Sequence, residues 1–266
     1  MAPRNARSSG NRRFYDWRGE SFWSVTTIIG GGVPKPALIN WAKKFTAEYA
    51  YDNFSTLAEM HANDDRDGAI EWMKGAAFRS RDKAADLGSV VHESIEAVAL
   101  GKPIPKWPKE AEPRMDGFKA FVADCRPDFH NVEASVYNRT ENYAGTLDAI
   151  ATIRGRRYLL DIKTGKGVYP EVGLQLSAYR MAEFIGGADF DEVPMPEVDA
   201  CAVLHLPEAG GYELVDVRAD DEVFRAFLYV REVFRWQNET SKNVILGPLE
   251  LGGSEAARAF QEAVAK

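Results

Sequence analysis

Cysteine is almost missing from this chain: only Cys125 and Cys201 occur, and neither sits in a paired motif. That excludes a disulfide framework and a four-cysteine zinc or iron–sulfur site, and it fits a reducing compartment. Long apolar runs are missing too. Nothing approaches the roughly 18 residues of a membrane span, and the start, Met1-Ala2-Pro3-Arg4-Asn5-Ala6-Arg7, lacks the apolar stretch of a signal peptide. A cytoplasmic protein without a membrane partner is therefore expected. Positive charge is not in excess: the net charge is −7. This argues against a wholly basic nucleic-acid coat but leaves room for a local basic groove, because binding follows the local field. No internal repeat stands out.

What is present suits one large domain, or one domain with extensions: 266 residues, 45% hydrophobic and 11% aromatic. Residues 1–18 carry Arg4, Arg7, Arg12, Arg13 and Arg18 against the single acid Asp16, and read as a flexible basic arm, solvated or phosphate-binding. Phe22 to Ile29 reads as a strand or strand–turn ended by Gly30-Gly31-Gly32. No Gly-Lys-Ser/Thr follows, so a plain turn is expected there and not a phosphate loop. Pro34-Lys35-Pro36 leads into a helical pattern through Trp41 and Ala50. Residues 66–100 read as helical, with Ala84, Leu87, Val91, Ile95 and Val98 forming a buried stripe beside His92 and Glu96. A helix over 113–124, a strand at 131–137, a hairpin over 143–163 and a helix from Glu171 through Phe184 follow. Ala200–Leu206 and Tyr212–Val217 alternate like a late hairpin. A closing helix, Ala219–Asn238, carries Phe224, Phe227, Tyr229, Phe234 and Trp236 as core aromatics. This order implies an α/β domain, a central mixed β-sheet flanked by helices. A single domain over 19–240, with its core at 85–217 and a C-terminal tail at 241–266, is expected.

The central hairpin is where charge meets core. Gly145-Thr146-Leu147-Asp148 precedes Ala149-Ile150-Ala151, and Tyr158-Leu159-Leu160 precedes Asp161-Ile162-Lys163-Thr164-Gly165. Charges beside strand-core residues are costly to desolvate unless paired or holding a metal. If Gly155-Arg156 forms a two-residue turn, Arg154 pairs with Arg157, Asp148 lies opposite Lys163, and Ile150 lies opposite Asp161. Asp148, Asp161 and Lys163 then share a face. A three-residue loop would send Asp148 to the other side. A divalent cation relieves the repulsion of two close carboxylates. Oxygen donors favour Mg²⁺, and an added imidazole also suits Mn²⁺. A lysine on the same face can orient or deprotonate an attacking water or stabilise a phosphorane-like transition state. Gln175 and Tyr179, four apart on the next helix, point the same way.

In their order, Gly88-Ser89-Val90-Val91-His92, Gly145-Thr146-Leu147-Asp148, Asp161-Ile162-Lys163-Thr164-Gly165 and Gln175-Leu176-Ser177-Ala178-Tyr179 resemble the RecB-like branch of the PD-(D/E)XK nuclease superfamily. That branch includes phage exonucleases and the mitochondrial genome maintenance exonuclease. The likeness covers residues 85–182, with a weaker one at Ser24 to Ile29 and Pro36 to Trp41. It implies a restriction-endonuclease-like core with an N-terminal helical extension. His92, Asp148, Asp161 and the Ile162 carbonyl would be metal ligands, Lys163 the catalytic lysine, and Gln175 and Tyr179 a supporting, DNA-contacting pair. Glu133 would be a supporting acid. The activity implied is that of a Mg²⁺- or Mn²⁺-dependent DNA exonuclease with one or two ions, in phage DNA recombination or repair. It would act on single-stranded DNA or duplex ends, in the host bacterial cytoplasm. A phage recombinase or single-strand-binding protein is the kind of protein partner implied. No iron–sulfur cluster is expected, since the cysteines that hold one in several relatives are missing. Arg79, Arg81 and Lys83, with Arg154, Arg156 and Arg157 at the hairpin tip, offer a phosphate-binding rim or plain solvated surface. The rivals are a structure-specific endonuclease on the same scaffold and a non-catalytic DNA-binding recombination accessory.

Overall fold

The computed structural model describes residues 5–10, 12–247 and 255–265. Three short strands come first, β1 (Ala6–Ser9), β2 (Arg12–Trp17) and β3 (Glu20–Ser24). Helices α1 (Val25–Gly32), α2 (Pro36–Asp52), α3 (Phe54–Ala62), α4 (Arg66–Lys74), α5 (Ala76–Ala99) and α6 (Glu112–Cys125) follow. Next are β4 (Asp128–Asn138), β5 (Tyr143–Ile153), β6 (Arg156–Lys163) and α7 (Glu171–Arg180). The chain continues through β7 (Phe184–Gly186), β8 (Glu192–Pro194), β9 (Ala200–His205), β10 (Glu213–Val217), α8 (Asp221–Asn238) and α9 (Glu255–Val264). The strands form one mixed, open sheet flanked by helices. Among the described residues no helix is long and apolar enough to cross a membrane.

Two cores sandwich the sheet. On one face Val25, Ile28, Leu147, Ile150, Leu159, Leu176, Val203, Phe227 and Phe234 pack sheet against α1, α7 and α8. On the other, Ala149, Ala151, Leu160, Ile162, Ala202 and Leu204 meet Val91 and Ile95 of α5 and Met115, Phe118 and Phe121 of α6. Along β6, Leu159 goes to one core and Leu160 and Ile162 to the other, the alternation that a strand covered on both faces requires. The stripe read from Leu87, Val91, Ile95 and Val98 packs against the sheet through α5 as expected.

Several expectations need correction. The stretch expected to be a flexible arm contains β1 and β2; residues 1–4 and 11 lie outside the described residues. Tyr15 and Trp17 are buried against Tyr137 and Phe184 in a third cluster, so apolar burial at every second position holds down what the arginines disguise. The triple glycine is no turn. Gly31 and Gly32 lie inside α1, where an added Cβ would come 2.7 Å from Phe234 and 2.5 Å from the Val230 carbonyl oxygen on α8. Small residues here permit two helices to touch. Helix α7 stops at Arg180 instead of running through Phe184, because Phe184 pairs with Tyr137 as a strand and stacks on its ring at 5.2 Å. On α8, Phe227 and Phe234 are buried and Phe224 packs partly, but Tyr229 and Trp236 face solvent. The expected tail at 241–266 contains α9, and residues 248–254 and 266 lie outside the described residues.

Candidate active site

Strand β5 carries the sheet's branch point. One of its edges pairs with β4 from Tyr143 to Thr152. The other edge is shared: β3 runs parallel to its start through Trp23–Tyr143 and Ser24–Ala144, and β6 runs antiparallel to its end from Ala149–Leu160 to Ile153–Arg156. Between those partners, Gly145 to Asp148 have no strand beside them on that edge among the described residues. Every group singled out in the hairpin gathers around this fork.

The turn is Arg154-Gly155, not Gly155-Arg156. Both residues have positive φ, 49° and 82°. Such a two-residue turn matches strand twist and favours glycine at its second position. The register therefore moves by two residues: Ile150 faces Leu159, not Asp161, and the ladder ends before Asp148, which does not lie opposite Lys163. A shift of two keeps every side chain on its face, so the three charged groups still meet.

Asp148 accepts the Ile162 N–H at 2.6 Å, and the Ile162 carbonyl accepts from His92 Nε2 at 3.2 Å. A carboxylate and an imidazole thus occupy the backbone polar groups of β6 as it parts from β5. His92 Nδ1 lies 3.6 Å from Asp148 Oδ1 and 3.7 Å from Glu133 Oε1. Glu133 reaches this point from a kink in β4, with φ at +49°. One donor atom each from His92, Glu133 and Asp148 fall within 4.8 Å of one another, about twice an oxygen–cation bond. Asp161 stands apart from that trio. Its Oδ1 accepts from Lys163 Nζ at 3.0 Å and from Gln175 Nε2 at 2.8 Å. Its Oδ2, although 2.8 Å from the same ammonium, has no hydrogen bond among the described residues and is buried. The Lys163 ammonium offsets the charge of that oxygen, whose remaining lone pair is open to a second cation. The donor set of imidazole, three carboxylates and a carbonyl fits a hard or borderline divalent ion.

The electrostatics are those of charges crowded out of water. Burial, then the neighbouring Asp148, pushes Asp161 up to about 6, with Lys163 opposing. Burial raises Asp148 as well, and Glu133 adds to this while His92 opposes it. For His92 burial acts to lower the pKa, but Asp148, Glu133 and Asp161 together outweigh it and hold the imidazole at about 9. Tyr179 is pushed well above 10, chiefly by burial.

The motif glycines are explained by contact. A Cβ on Gly145 would sit 2.4 Å from Tyr179 Cε1, and one on Gly88 would sit 3.1 Å from Thr164 Oγ1. Helices α7 and α5 can therefore close on the fork. His92, Glu133, Asp148, Gln175 and Tyr179 line a cleft of about 580 Å³, with Tyr15, Thr146, Thr26 and Arg13. Tyr15 reaches in from β2 to hydrogen-bond Thr146 at 2.9 Å. Sequence reasoning missed it, although the Tyr15/Trp17 alternation was a usable signal. The basic groups read as either a phosphate-binding rim or solvated surface do not line this cleft. Arg79 lies over Tyr49 and donates to the Trp72 carbonyl, Arg81 pairs with Asp82, and Lys83 does not line the cleft. Arg154, Arg156 and Arg157 are at the far end of the hairpin, about 17 Å from Asp161 at the usual rise per residue. No family model matches the chain, and no curated protein matches it either.

Proposed function

We propose that this chain is a metal-dependent DNA nuclease, acting at DNA ends or on single strands, with a restriction-endonuclease-like core. The observation that carries the reading is the fork itself. Asp148, Asp161, Lys163 and His92 surround the Ile162 backbone where two strands part, and a buried Asp161 oxygen rests against the Lys163 ammonium without an aligned hydrogen bond among the described residues. His92, Glu133, Asp148, Asp161 and the Ile162 carbonyl would hold Mg²⁺ or Mn²⁺. That ion, when bound, lowers the pKa of water and offsets the charge growing on the phosphoryl oxygens. Lys163, anchored by Asp161, orients the water that attacks phosphorus in line. The bond from phosphorus to the 3′ oxygen breaks, leaving 5′-phosphate and 3′-hydroxyl ends. Gln175 holds Asp161 so that the carboxylate does not swing away with the lysine. The test is cleavage of labelled single-stranded and linear duplex DNA with Mg²⁺ or Mn²⁺. Wild type should cut and Asp161→Ala and Lys163→Ala should not; equal behaviour of all three would sink the reading. Closed circular duplex, alongside, asks whether an end is needed.

A further inference from the structure

Arg13 and Thr26 line the cleft at the fork, and they also line a second cleft of about 610 Å³, bounded by Arg12, Gly30, Gln237 and Asn238 among others. The two hollows adjoin at these shared residues, and their charge differs. The first holds the carboxylates. Among the described residues the second is lined by two arginines and no acidic side chain, in a chain of net charge −7. Among the described residues no carboxylate lies within 4.0 Å of Arg12 or Arg13. Arg12 rests near the Trp23 ring, and Arg13 is held through its backbone N–H, which donates to Thr27 at 3.0 Å. Both guanidinium groups are left free for an anion.

Resting on the nuclease reading, we infer that this second cleft is the track for the sugar-phosphate backbone of a single DNA strand whose next linkage lies at the fork. Size selects the strand: 610 Å³ is the scale of a small-ligand pocket, whereas one duplex turn extends about 34 Å. Chemistry selects the backbone. Phe234, the aromatic of this lining, is 4% exposed and has no free face for a base, so unpaired arginines and the Gln237 amide do the reading. Gly30 helps keep the track open, since a Cβ there would meet nothing within 4 Å. A larger side chain would fill the track without disturbing its neighbours.

The experiment measures binding of fluorescent oligo-dT of two to ten nucleotides, in EDTA, by wild type, Arg12→Glu and Gly30→Leu. Melting midpoints report whether the variants fold. Wild-type affinity should rise with length and then level off. Both variants should lose that rise and bind the longest oligomer about tenfold more weakly. Arg12→Glu should also flatten the salt dependence by about 0.7 in log–log slope per lost phosphate contact. Unchanged affinity in folded variants, equal preference for duplex, or no binding by wild type would each overturn the track. Hydrolysis of bis(p-nitrophenyl) phosphate by wild type tests the nuclease reading separately, because that small diester needs only the fork.

Discussion

The two ends of the β5–β6 hairpin are built from the same strands and carry similar densities of charge, yet they behave as opposites. At the tip, Arg154, Arg156 and Arg157 are exposed and the ladder is regular; Arg156 lies over the Tyr158 ring and Arg157 donates to the Glu197 carbonyl at 3.3 Å. At the fork, Asp148 and Asp161 are nearly out of water, the ladder has stopped, and backbone groups are satisfied by side chains. Exposed charge asks little of the fold, and so the tip arginines need no opposite charge beside them. Desolvated charge must be matched, and the matching drew in a lysine from the same hairpin and, from two further parts of the chain, an imidazole on α5 and a glutamine on α7. The contrast explains why charge counting along the sequence left the tip open between a phosphate-binding rim and plain solvated surface.

The largest expected effect separates the ends by function. Asp161→Ala or Lys163→Ala should lower DNA cleavage by about a thousandfold or more, while Arg156→Ala at the tip stays within twofold of wild type in the same assay. A tip variant as damaging as a fork variant would dissolve the comparison.

Next comes the ion. At a hundred times its dissociation constant, Mn²⁺ should stabilise the fold by about 2.7 kcal/mol, reversed by EDTA and much reduced in His92→Ala. The pH dependence has a definite sign. Asp161 and His92 both have raised pKa values in the folded state, about 6 and about 9. Each therefore favours the folded state below its unfolded value. That contribution is lost as pH rises through about 4 to 6 for Asp161 and about 6.5 to 9 for His92. Metal-free stability from urea melts should fall across those windows, and the Mn²⁺ effect should grow, because ion and protons compete. A Mn²⁺ effect independent of pH would contradict the ligand set.

Glycine substitutions compare the ends in packing. Gly145→Ala forces a methyl against Tyr179 and should cost about 1–3 kcal/mol in chemical denaturation. Gly155→Ala meets no atoms and costs only the strain of its positive φ, about 1 kcal/mol. The smallest change is a gain: Arg154→Asn suits the left-handed turn position and should stabilise by about 0.5 kcal/mol without altering cleavage.

Much of this was legible in the chain because it is local. The parity of the hairpin follows from a two-residue turn, and it survived a misplaced turn because the error was two residues and not one. The α5 stripe, the late hairpin and the convergence of Asp148, Asp161 and Lys163 follow from periods of 3.6 and 2. What could not be read is non-local. Nothing near Gly31 announces Phe234, and nothing near Asp148 announces that β3 occupies the start of the same strand edge that β6 occupies at its end. Tyr15 and Trp17 alternate as a buried strand does, but neighbouring arginines gave the stretch the composition of a solvated tail. Asp161 illustrates a further limit. Its sequence position suggests a ligand beside Asp148, whereas the structure turns its Oδ1 toward Lys163 and Gln175 and sets its Oδ2 against the same ammonium.

The shared edge of β5 also has a consequence in time. The β3–β5 pairing joins residues roughly 120 apart in sequence, so the fork closes only after one of the chain's longer loops has been brought together. Glu133, Asp148 and Asp161 stand on the consecutive strands β4, β5 and β6, so the meander brings them near one another earlier, but the burial that makes their repulsion costly waits for α5 and α7 to close on the fork. The larger part of their repulsion then belongs to the native state and not to the folding barrier. A divalent ion that relieves it should slow unfolding while leaving the folding rate nearly unchanged, so that the protein's lifetime, more than its speed of formation, follows the metal supply.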